Sequence, residues 1–88
     1  MLNPRKVVIT GLGCISPVGI DVASTWEALV AGKNGIGPVT HFDASDIATQ
    51  IAGEATGFNP ETRLAPKEAR RMDRFIQLGL CAGLEAFE

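Results

Sequence analysis

The chain has 88 residues, of which 45% are hydrophobic and 20% charged, and its net charge is −2. That length allows one small domain, and the mildly acidic balance argues against binding to nucleic acid or to a membrane surface. No apolar run approaches the ~20 residues of a membrane span, and the apolar residues after Lys6 are too few for a signal-peptide core, so a cytosolic location is the expectation.

Val7, Val8 and Ile9 are consecutive, apolar and β-branched, which predicts a strand buried on both faces. Gly11, Gly13, Pro17 and Gly19 then interrupt regular structure. Asp21 predicts a helix N-cap. Val22, Trp26, Leu29 and Val30 follow at helical spacing as a stripe expected to face the core, and Gly32 suits the left-handed position that closes a helix. Residues 33–45 read as a loop anchored by Ile36, Val39 and Phe42. Ile51, Ala52 and Gly53 are compatible with a short edge strand, and Pro60 with the start of one helical turn.

Pro66 predicts the start of a long last helix. Its apolar stripe is Met72, Phe75, Ile76, Gly79, Leu80, Gly83, Leu84 and Phe87. Gly79 and Gly83 cost up to ~1 kcal/mol each of helix propensity, so close packing against another backbone is expected there. One confident strand without a partner, and a helix with no stop signal before Glu88, read as the beginning of a larger α/β protein.

Chemistry is sparse. Gly11 and Gly13 begin a dinucleotide-type spacing, but Ser16 stands where the third glycine belongs, and no Gly-Lys-Ser/Thr follows for a P-loop. Cys14 as a nucleophile would need a base, and His41 is the single histidine of the chain. A small packed thiol is the reading favoured for Cys14, and a core position for Cys81. Both thiols are expected reduced, with neither a metal site nor another cofactor. His41 with Asp43 could form an orienting pair, a loop hydrogen bond and cap being favoured over catalysis. Lys67, Arg70, Arg71 and Arg74 stand apart. At i, i+3, i+4 and i+7 they would share one helix face, against the helix dipole and offset in part by Glu68 and Asp73. A basic stripe on an acidic chain suggests an acidic partner.

Val8-Ile9-Thr10-Gly11-Leu12-Gly13 with Ser16-Pro17-Val18-Gly19, then Ser24 to Leu29, Gly32, Gly35-Ile36, His41-Phe42-Asp43, Ala52-Gly53, Phe58-Asn59 and Lys67 to Gln77 together resemble the β-ketoacyl-acyl carrier protein synthases. The type II elongating enzymes are the nearest match. The resemblance runs over essentially the whole chain. It implies a thiolase-like layered α/β/α/β/α fold, with residues 1–88 as the N-terminal segment of its first half. It implies a cytoplasmic homodimer that performs decarboxylative Claisen condensation of an acyl thioester with malonyl-acyl carrier protein in fatty-acid biosynthesis. The family's nucleophilic cysteine, two histidines and supporting lysine match no residue here, so no catalytic residue is assigned and the segment alone is expected to be inactive. Cys14 stands where relatives often carry methionine or another apolar residue. Lys67, Arg70 and Arg71 match the patch on which these enzymes dock acyl carrier protein, and Arg74 follows where relatives vary. Pro66 and Ala69 replace residues that are often polar. The alternatives are a segment of a polyketide ketosynthase or its chain-length partner, a non-catalytic carrier-binding fragment and, weakest, a nucleotide-binding domain.

Overall fold

A computed structural model describes residues 4–88. In chain order these form helix α1 (Val22–Val30), strands β1 (Ile36–Pro38) and β2 (Ile51–Gly53), a 3₁₀ turn (Pro60–Thr62), a short helix α2 (Pro66–Arg70) and helix α3 (Arg74–Phe87).

α1 begins and ends where its residue types dictate. The Asp21 carboxylate accepts from the Ser24 amide at 2.8 Å, and the Ser24 hydroxyl accepts in return from the Asp21 amide at 3.2 Å. This reciprocal box satisfies donors that a helix start leaves open. At the other end Gly32 has φ +74°. Its amide donates to Leu29 O, and the Lys33 amide donates to Ala28 O. That 5→2 and 6→1 pair is the Schellman arrangement, which a Cβ would strain.

The helix does not bury the expected stripe. Thr25 and Ala28 face inward, while Trp26, Leu29 and Val30 are exposed, Trp26 at 66%. The same inversion marks α3. Leu78 and Cys81 turn inward, and Phe75, Ile76, Leu80, Leu84 and Phe87 face outward. Gly79 and Gly83 lie on that open side, where no described atom approaches within 4 Å of a Cβ built on either. The close backbone contact expected of them occurs instead at Gly11 and Gly13. A Cβ on Gly11 would overlap the Ala86 carbonyl, and one on Gly13 the Ala82 carbonyl.

Val7, Val8 and Ile9 form no strand, and they are 89%, 75% and 79% exposed. A strand is defined by hydrogen-bonded neighbours, and no described segment lies beside this one. Part of the expected 33–45 loop is a strand, because β1 pairs antiparallel with β2 in the register Ile36–Gly53, Gly37–Ala52 and Pro38–Ile51. Ile36 and Phe42 are exposed rather than anchoring. The hairpin is tied by Glu54. Its carboxylate accepts from the Thr40 hydroxyl at 2.7 Å, the Thr40 amide at 3.1 Å and the His41 amide at 3.2 Å.

The core is small. Phe58, Leu64, Ala69 and Cys81 form it, with Ile15, Ala55, Met72 and Leu78 packed around them. The Cα radius of gyration is 16.8 Å, against about 12 Å expected for a compact domain of this length. The accessible surface is 7129 Å², against about 5,000 Å² for a self-contained domain of this mass. Outward apolar side chains of Val7 to Ile9, α1 and α3, with Ile36, Phe42 and Ile51, contribute to that excess.

Two outcomes follow. Gly13→Ala drives a methyl into the α3 backbone, and thermal or denaturant unfolding should show a loss of about 1–3 kcal/mol, as for overpacking. The Thr40 hydroxyl and the Thr40 and His41 amides hold the Glu54 carboxyl below its ordinary value of 4.5. A lowered folded-state pKa contributes stability that is present above the unfolded value and lost as pH falls through the folded one. Melting temperature measured from pH 7 downward should therefore fall off below about pH 4.5, and Glu54→Gln should flatten that acid limb.

Candidate functional site

The basic cluster is built on an elbow, not on one continuous helix. α2 ends at Arg70, Arg71 is its C-cap, and Asp73 is extended (φ −67°, ψ 160°) before α3 starts at Arg74. Lys67, Arg70, Arg71 and Arg74 thus do not line a single face. Asp73, a residue type that favours helix N-caps, is the signal in the sequence that marks the break. Arg70 ends α2, where the helix dipole favours a cation. The predicted conflict with the dipole is therefore relieved for Arg70, while Lys67, the second residue of the helix, stays in its first turn beside Glu68.

Lys67, Arg70 and Arg71 are exposed, and none of them forms an ion pair with another described residue. Arg74 is engaged differently. It donates to Ala55 O at 3.0 Å, and its guanidinium lies 4.8 Å from the centre of the Phe58 ring. That contact is cation–π in geometry and joins α3 to the loop before the 3₁₀ turn. Behind α2, the Gln77 side-chain amide donates to Ala69 O at 2.7 Å and to Met72 O at 3.4 Å. Gln77 was not legible as a site residue, because a polar side chain on a helix flank carries no local sign of what it reaches.

The other candidates fall into structural places. Cys81 is 1% exposed, and burial pushes its thiol pKa up, which disfavours the reactive thiolate. The Cys14 thiol lies 3.8 Å from the Thr25 hydroxyl, which is itself 3.1 Å from the Ser16 hydroxyl. His41 and Asp43 do not form an orienting pair; each makes loop hydrogen bonds, the reading favoured for them. The His41 Nδ1 is 3.4 Å from Glu54, whereas Asp43 accepts from the Ser45 amide. The glycine loop packs against α3, the Cβ side of Gly11 and Gly13 facing the Ala86 and Ala82 carbonyls. Among the described residues no three His, Cys, Asp or Glu side chains converge as a metal site, and no helix is long and apolar enough to cross a membrane.

The family model for the β-ketoacyl synthase N-terminal domain matches residues 4–88. The chain is 47% identical over 87 residues to 3-oxoacyl-(acyl-carrier-protein) synthase 2 of Vibrio cholerae, covering 99% of this chain and 21% of that protein. The synthase of the same name from Synechocystis is 47% identical over 97% of this chain and 20% of its own length. That from Staphylococcus aureus is 46% identical over 98% and 21%. The chain therefore spans about a fifth of the length of the curated relatives it matches.

Proposed function

Because the chain belongs to the β-ketoacyl synthase family through its N-terminal domain, we propose that it is the N-terminal segment of a 3-oxoacyl-acyl carrier protein synthase of fatty-acid biosynthesis. The relatives that match nearly all of it carry that activity in their names. The reaction is decarboxylative Claisen condensation between an enzyme-bound acyl group and malonyl-acyl carrier protein. The resemblance puts the nucleophile and its histidines in other parts of the enzyme, and the structural partners of Cys14, Cys81 and His41 support that reading.

The open apolar surface supports the same reading. The outward stripes of α1 and α3, and Val7 to Ile9, are what a layered fold would cover with further strands and helices. In this proposal the finer architecture is the thiolase-like α/β/α/β/α arrangement, assembled as a cytoplasmic homodimer.

The function assigned to the segment itself is docking of acyl carrier protein, carried by one observation. Lys67, Arg70 and Arg71 stand exposed on α2 and its C-cap, without an ion-pair partner among the described residues, in an otherwise acidic chain. An acidic carrier would be steered to such a patch and held in register by it, with binding that weakens as salt rises.

In the full-length enzyme, Arg70→Glu with Arg71→Glu should raise the KM for carrier-bound substrates at least about tenfold, the equivalent of ~1.4 kcal/mol. The rise of that KM with salt should also be lost, because the reversed charges repel an acidic carrier and salt screens that repulsion. Wild-type KM in the double variant would overturn the docking assignment. The 88-residue chain by itself should give no condensation product when supplied with acyl and malonyl carrier, read by mass spectrometry of the acyl chains.

A further inference from the structure

The docking cations ride on a helix that cannot hold its own orientation. α2 has five residues, Pro66–Arg70. Isolated helices so short are not stable in water. The Ala65 N-cap position contributes no side-chain hydrogen bond, and Ala69 is the one buried residue of the helix. Of α2 itself a single methyl reaches the core, with Leu64 before the helix and Met72 after it packed in the same cluster. Further restraint comes from α3. The Gln77 amide reaches back under α2 and donates to the carbonyls of Ala69 and Met72; the Ala69 carbonyl also accepts from the Met72 amide at 3.2 Å. One turn earlier Arg74 ties the start of α3 to Ala55 O and to the buried Phe58 ring. Both straps start on α3, after the Arg71–Asp73 elbow: Gln77 reaches back to α2, and Arg74 fixes the start of the helix from which Gln77 reaches.

We propose that Gln77 and Arg74 are positioning residues for carrier-protein docking. They hold α2 at the angle that presents Lys67, Arg70 and Arg71 together, without touching the partner themselves. This inference rests on the docking reading above. It separates Arg74 from the other three cations: its charge is used inward, on a carbonyl and a ring, and its role is geometric.

The test is titration of the full-length synthase with purified acyl carrier protein. Gln77→Met keeps the side-chain length and removes both donors. The apparent affinity falls with the fraction of α2 in the competent orientation, so a Kd raised about tenfold is expected. The slope of log Kd against log salt should stay as in wild type, because all three docking cations remain. Amide exchange should quicken over residues 66–73 and stay unchanged over residues 74–87. An unchanged Kd, or a weaker one with exchange quickened throughout, overturns the positioning role. The Arg70→Glu, Arg71→Glu variant separates the two readings. If it binds as wild type does, the docking assignment itself has failed; if it loses binding while Gln77→Met does not, positioning alone has failed. Should Gln77→Met not fold, Arg74→Lys takes its place, since lysine keeps the charge but not the planar stack. The same rise in Kd is expected there, and wild-type Kd overturns the proposal.

Discussion

One carboxylate joins the two ends of this chain. Glu85, near the end of α3, accepts from the Cys14 amide at 2.9 Å through one oxygen and from the Val22 amide at 3.0 Å through the other. Its partners lie 71 and 63 residues away in sequence. The Val22 amide is at the first position of α1, where backbone N–H groups have no partner within the helix and the dipole favours an anion. Hydrogen bonds to a charged acceptor contribute about 1.5–3 kcal/mol each. With a core of only a few side chains, a clamp of that size decides whether the glycine loop and α1 stay seated on α3.

Steric fit and the clamp support each other. Gly11 and Gly13 let the loop approach the Ala86 and Ala82 carbonyls, and that approach brings the Cys14 amide to Glu85. At its other end α3 holds α2 through Gln77 and Arg74. α3 is therefore the spine that the glycine loop, the start of α1 and α2 share, while Phe75, Ile76, Leu80, Leu84 and Phe87 stay open. The residues most diagnostic of the family, from Thr10 to Gly19, act in assembly. The exposed cations Lys67 and Arg70 lie elsewhere, on a five-residue helix with Arg71 at its C-cap.

Legibility in the sequence followed the range of the interaction. Asp21, Gly32, Pro60 and Pro66 act within a few residues of themselves, and each stands at the boundary it predicts. Apolar periodicity located the helices but misassigned their inward faces. A stripe shows that a face wants cover; it does not say that the cover lies within the same 88 residues. Val7 to Ile9 fail as a strand for the same reason. The Arg71–Asp73 elbow was masked because the apolar spacing runs through it unbroken, although Asp73 marked it. Glu85 and Gln77 left no local trace, since their meaning lies in backbone groups far away or around a corner. The candidate site was legible in its residue types and not in its geometry: Lys67, Arg70 and Arg71 stand together, and Arg74 belongs to the support beneath them.

The central claim is that Glu85 couples the N-terminal loop and α1 to α3. Residue-resolved amide hydrogen exchange on the full-length protein and its Glu85→Ala variant tests it most directly. The Cys14 and Val22 amides should be protected in the wild type and should lose that protection together in the variant. Free exchange at either amide in the wild type, or protection at both that survives the substitution, would contradict the claim.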